Sequence, residues 1–364
     1  MRLSLMMKTT IYSVIFSLAA LGVMFYVMLH KEIVIEHVGQ DEVSIQQEQG
    51  DTAAAAAAES GYMEQYNQAD GVLAFEIGKA STNHLCIPLP VNMKAENVAI
   101  ENYYMDREMH VILTGSYKDF YSDSVISGQK ENITNGFYME ENDTTRLIFT
   151  LNGIFEYKSI LEDGNLYIEF LASGEVYDKI VVIDPAFGAT VSGYRTDGLL
   201  EKDLTLAIAQ KVKQRLDDTD IKVYYTRMDD NNPTQEQRIG LANEIKADVY
   251  IRIEADYHED AKIYGTTVVY NESFFIPGFG SVELANLLEY EVVSAISGKA
   301  LGMVAAAEED YTIKNATVPA ATIKAGYLSN PQEVILLKKE DYRERIAEGI
   351  YQTILKVYEN YLEK

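Results

Sequence analysis

The sequence predicts an α/β protein with a mostly parallel, twisted sheet flanked by helices. A small all-β sandwich and an amino-terminal transmembrane helix precede it. Three observations predict this. From Lys179 onward, apolar runs rich in β-branched residues alternate with helix-period segments, the pattern of a sheet covered on both faces. Between Val72 and Leu171 the apolar runs are short and separated by turn residues. Thr10 to Leu29 is a run of 20 residues without a charge, enough for a helix to cross a bilayer core.

The elements follow in order. Arg2 and Lys8 precede the apolar run, so residues 1–9 are expected on the cytoplasmic side. The run continues from Val23 to Leu29, past Ala19-Ala20, which favours an uncleaved signal anchor over a removed signal peptide. Residues 30–71 read as a disordered acidic and alanine-rich linker. They include Ala53 to Ala58 and few large apolar residues, too little to offset ordering entropy. The chain has 364 residues, room for two domains beyond these segments. A formal charge of −25 argues against nucleic acid as a partner, because that binding rests on Lys and Arg neutralising phosphates. Cys86 is the single cysteine, so no intramolecular disulfide forms, and it reads as a small apolar residue.

Residues 72–171 are expected to form the sandwich. Leu85–Ile87, Val98–Ile100, His110–Leu113, Arg146–Phe149 and Leu166–Phe170 read as strands. Asn135-Gly136, Asn152-Gly153 and Asp163-Gly164-Asn165 read as turns. Its size is that of a unit able to fold alone. Tyr103, Tyr104, Tyr117, Tyr121 and Tyr138 are either a carbohydrate-stacking face or ordinary strand fillers.

In residues 179–364, Ile180 to Ile183 is a buried-strand run that Asp184-Pro185 ends. After Glu201, apolar residues recur at Leu204, Ile208, Val212 and Leu216, one helix face. Ile221–Thr226, Asp248–Ile253, Thr266–Tyr270 and Ala320–Lys324 read as further strands. Gln235–Glu244, Val282–Ile296 and Tyr342–Tyr358 read as helices. Ligands of such sheets bind beyond the carboxyl ends of the strands.

Several stretches carry a resemblance. They are Asp184-Pro185-Ala186-Phe187-Gly188, Glu201, Thr226-Arg227, Glu236-Gln237-Arg238, Ala242-Asn243-Glu244, Ala247-Asp248, Val318-Pro319-Ala320 and Gly326-Tyr327-Leu328-Ser329-Asn330-Pro331. In this order they resemble the zinc-dependent N-acetylmuramoyl-L-alanine amidases of the Amidase_3 type, which cut peptidoglycan between glycan and stem peptide. The resemblance covers residues 179–364. The position of residues 72–171 just before this half, and their closing Asp163 to Phe170, resemble the AMIN-type sandwich of some such amidases, which implies binding to envelope components.

The family's site is matched only in part. A hydrolytic zinc takes three protein ligands and leaves one position for water. In the family these ligands are two histidines and a glutamate. The resemblance places them at Phe187, Glu254 and Glu201, of which only Glu201 matches, and it places the catalytic glutamate at Lys324. Two rescues are open: His258 as a substitute ligand, or an oxygen-only cation site of Glu201, Glu254 and Asp256. The charges favour a third arrangement, an ion network of Glu201, Arg252, Glu254 and Lys324 in place of the metal, with Lys324 paired to Glu201 or Glu254. Arg252 and Glu254 share a strand face in it. The expectation is a single-pass protein of the bacterial cell membrane with its ectodomain outside the cytoplasm. It is catalytically inactive, holds no cofactor, and binds peptidoglycan or an envelope protein. The alternative is an active amidase with an atypical metal site, which would hold zinc.

Overall fold

The computed structural model describes residues 37–38, 69–76, 83–273 and 275–362. The expected membrane segment, residues 10–29, lies outside the described residues, as does most of the expected linker. Among the described residues no helix is long and apolar enough to cross a membrane. One correction falls within residues 30–71: His37–Val38 is a strand, paired parallel to Ile100–Glu101.

Between Gly71 and Leu171 two sheets face each other. One has the spatial order His37–Val38, Val98–Tyr103, Glu108–Thr114, Thr144–Leu151, Ile133–Glu141, Gly71–Val72. The other runs Glu156–Glu162, Asn165–Leu171, Leu85–Pro88, Val125–Gly128, Ala74–Phe75. Alternate residues of each strand point inward. Met109, Val111 and Leu113 thereby meet Leu85, Ile87, Leu166 and Ile168 in one core. Asn135-Gly136 is not a turn. It lies inside Ile133–Glu141 beside a register shift, and a Cβ on Gly136 would stand 2.9 Å from the Phe75 ring. The hairpin turns at Asn142-Asp143 instead, both at positive φ (51° and 60°), the geometry a two-residue hairpin loop needs. Tyr121 and Tyr138 are buried in the core and Tyr104 turns toward the second half, so the five tyrosines do not line one face.

The second half holds a six-stranded sheet. Numbered along the chain, its strands are β1 (Ile180–Pro185), β2 (Lys222–Tyr225), β3 (Val249–Asp256), β4 (Thr266–Tyr270), β5 (Ala300–Ala305) and β6 (Ala320–Tyr327). The spatial order is β2-β1-β3-β6-β4-β5, and every neighbouring pair is parallel except β4 with β6. Helices α1 (Glu201–Leu216), α3 (Ser281–Ile296) and α5 (Glu340–Asn360) bury apolar stripes against one face. Helix α2 (Gln235–Glu244) covers the other. Helix α4 (Pro331–Leu337) follows β6. A Cβ on Gly349 of α5 would stand 2.5 Å from the Val292 backbone of α3, so these helices meet at contact distance. Strand β5 was not expected from the sequence; its residues, half of them Ala or Gly, form an exposed edge. Its Gly302 amide donates to Glu289 Oε1 of α3 at 2.6 Å.

The two halves share a third core. Met105 packs with Ile180, Val182, Tyr224, Ile239 and Tyr250, and Tyr104, Ile154 and Tyr177 lie against them. Among the described residues the outer edge of β2 has no neighbouring strand. The Tyr104 hydroxyl fills that role: it donates to Tyr225 O at 2.9 Å and accepts from Tyr225 N at 3.1 Å. Tyr224 donates to Glu156 and accepts from Ser173 Oγ at 2.8 Å, and Glu244 accepts from Arg107 at 2.6 Å and from Ile154 N at 2.7 Å.

Candidate functional site

The carboxyl ends of β1, β3 and β6 gather the residues singled out above. The loop leaving β1 carries Phe187, a half-buried residue held at φ 64°, in the left-handed region that costs a bulky side chain energy. Two arginines hold it there. Arg238 of α2 donates to Pro185 O at 3.0 Å and Phe187 O at 2.9 Å. Arg227 donates to Pro185 O at 2.9 Å and Ala186 O at 3.0 Å. The Thr226-Arg227 and Glu236-Gln237-Arg238 motifs thus shape this loop.

Asp184, fully buried at the end of β1, accepts from Arg238, Thr226 and Tyr250 and from Arg252 Nη1 at 2.5 Å. Burial opposes its charge, but Arg238 and Arg252 outweigh burial and hold its pKa well below the usual carboxylate range. Arg252 Nε donates to Glu254 Oε1 at 2.6 Å. Two arginines and two carboxylates therefore neutralise one another, as buried charges must.

Glu201 opens α1 and is 1% exposed. Both its oxygens are engaged by backbone: Oε1 accepts from Ala255 N at 2.8 Å and Oε2 from Tyr194 N at 2.9 Å. Burial pushes its carboxyl up to about 7, the two amides act against this, Glu254 adds to it and Lys324 subtracts. Gly193, at φ 64°, is wedged above: a Cβ there would stand 2.5 Å from Glu201 Oε2 and 2.7 Å from the Phe187 ring.

Lys324 differs from expectation. It is the Cα partner of Glu254 across β3 and β6, yet its ammonium meets Asp256 Oδ1 at 3.4 Å rather than Glu201 or Glu254. A register shift between Glu254 and Asp256 brings the diagonal neighbour within reach. Burial works against the ammonium, but Asp256 and then Glu254 outweigh it and raise its pKa. The expected network therefore divides. Arg252 and Glu254 pair and extend to Asp184, Lys324 pairs with Asp256, and Glu201 stands in neither ion pair. His258 is exposed, with Nδ1 accepting from Asp260 N at 3.0 Å. Among the described residues no three His, Cys, Asp or Glu side chains form a group able to hold a metal ion. Sequence reasoning missed Asp184 as a member of the ion network, named Asp256 only as a possible cation ligand and not as the partner of Lys324, and missed Tyr194 and Tyr257. The rings of these tyrosines stack at 5.1 Å and 18°, each about half exposed.

A mostly parallel α/β sheet with charged groups gathered at the carboxyl ends of β1, β3 and β6 defines the class, and comparison with known proteins defines the family. Residues 181–356 match the N-acetylmuramoyl-L-alanine amidase family, Amidase_3. The chain is 30% identical over 198 residues to the germination-specific N-acetylmuramoyl-L-alanine amidase of Bacillus subtilis (strain 168), covering 50% of this chain and 80% of that one. It is 29% identical over 185 residues to the probable cell wall amidase LytH of Staphylococcus aureus, covering 50% and 58%. Among solved structures, an N-acetylmuramoyl-L-alanine amidase from Clostridium difficile 630 is similar at 30% identity and a TM-score of 0.47, covering 50% of this chain and 97% of that one. The chain belongs to the N-acetylmuramoyl-L-alanine amidase family through its second half.

Proposed function

We propose that this chain is a non-hydrolytic member of the amidase family. It is held at the bacterial cell membrane by residues 10–29 and binds peptidoglycan or an envelope partner outside the cytoplasm. Its residues 72–171 act as an AMIN-like binding sandwich. The observation that carries the reading is the state of Glu201, the one retained ligand position: both its oxygens are engaged by the amides of Tyr194 and Ala255. A zinc ion does not fit the donors around it. Phe187 has no lone pair to give, Glu254 is tied to Arg252, and Lys324 brings a positive charge where a catalytic carboxylate would stand. Elemental analysis of the purified protein tests the reading together with assay of stem-peptide release from peptidoglycan. The expected result is no stoichiometric zinc, no release, and retention on insoluble sacculi. About one zinc per chain, or release that Glu201→Ala abolishes, would establish the alternative of a working amidase with an atypical site.

A further inference from the structure

The stacked pair Tyr194–Tyr257 follows from how the site's acids are used. Glu201 holds the Tyr194 amide at 2.9 Å, and Asp256, which also meets Lys324, holds the Tyr257 amide at 2.8 Å. Phe187 and Glu201 form the floor on which Gly193 rests, and only a glycine fits there, so the next residue is aimed outward. Both tyrosines are anchored by their backbones alone. Among the described residues neither hydroxyl makes a hydrogen bond, and the rings are 47% and 49% exposed. Two nearly parallel aromatic rings left in water at one spot are uncommon unless something covers them.

We propose that Tyr194 and Tyr257 form a stacking platform for a pyranose ring, so that this end of the sheet grips the glycan strand of its polymer rather than the stem peptide. The proposal rests on the binding reading above and specifies its ligand. The axial C–H bonds of a pyranose carry partial positive charge and lie favourably on the negative face of an aromatic ring. A bound peptide is held mainly by rows of backbone donors and acceptors. Here the amides of Tyr194 and Tyr257 are already taken by Glu201 and Asp256, and about half of each tyrosine is exposed. Asp256 and Lys324, both partly exposed beside the stack, supply an acceptor and a donor for hydroxyl and acetamido groups.

The test uses the full chain in detergent, with peptide-free strands of alternating N-acetylglucosamine and N-acetylmuramic acid, isolated stem peptide, and whole sacculi as probes. Calorimetric titration should show binding to the peptide-free strands and none to stem peptide. Tyr194→Ala and Tyr257→Ala should each weaken strand binding by about tenfold, while Tyr194→Phe and Tyr257→Phe keep it, since the ring and not the hydroxyl makes the contact. Unchanged melting temperatures would show that the alanine variants fold. Alanine variants that bind strands as the wild type does, or binding that follows the stem peptide, would overturn the platform while leaving peptidoglycan binding intact. A wild-type chain that ignores whole sacculi would overturn the underlying reading as well.

Discussion

Glu201 and Asp184 are buried carboxyls at the same end of the sheet, and their pKa values are shifted in opposite directions. For Glu201 the folded value, about 7, lies above the ordinary 4.5, so the folded state binds its proton more tightly than the unfolded chain does. Its contribution is therefore fully present below about pH 4.5 and is lost as pH rises toward 7, a loss on the order of 3 kcal/mol at most. For Asp184 the folded value is depressed, so its contribution is present above the ordinary carboxylate range and lost only in strong acid. Denaturant titrations at stepped pH should show the wild type losing stability between pH 5 and pH 7 (roughly the window between the two Glu201 values), with a flatter profile in Glu201→Gln. Lys324→Glu should place a third carboxylate beside Asp256 and Glu254 and cost about 1–3 kcal/mol, less than for a fully buried pair because the ammonium is partly solvated. Phe187→His, Glu254→His and Lys324→Glu combined should bind zinc better than any one change alone, because the metal then supplies the charge the carboxylates lack. Isothermal titration with zinc measures this.

At the scale of elements, two contacts carry more weight than their sequence reveals. Tyr104→Phe removes the hydroxyl that serves both the donor and the acceptor of Tyr225, and should cost about 1–2 kcal/mol in chemical denaturation. Gly349→Ala forces α5 away from the Val292 backbone of α3 and should cost about 1–3 kcal/mol, although alanine favours a helix. The sequence offered Tyr104 only as one of five tyrosines of a possible stacking face and gave no sign of Gly349, because the importance of each lies in what another element brings against it. Elements with strong periodicity were legible. The apolar positions of α1 and the β-branched run of β1 are local signals, and Gln235–Glu244 is found at the expected residues. Strand β5 was not legible, because Ala-Leu-Gly-Met-Val-Ala has neither the alternation nor the bulk that marks a strand. At the site, the family's motif directed attention to Phe187, Glu254 and Lys324 in the sequence. The pairing of Lys324 with Asp256 was not legible, because it depends on a register shift. Asp184 was hidden for a related reason: its partners Arg238 and Arg252 come from different elements.

At the scale of the molecule, the sandwich and the sheet are joined by a common core rather than by a loose connection. Residues 70–173 alone would expose Met105, Tyr104 and Ile154, so that fragment should melt well below the whole protein, and calorimetry of the full chain should show the two halves unfolding together. The same junction has a colloidal consequence. A sheet edge with open amides and carbonyls recruits strands from neighbouring molecules. Here the β2 edge is buttoned by one phenol and the β5 edge by one carboxylate, Glu289 on the Gly302 amide. Removing both fasteners, as in Tyr104→Phe with Glu289→Ala, should make light scattering climb with concentration more steeply than in the wild type, and either change alone should do so less.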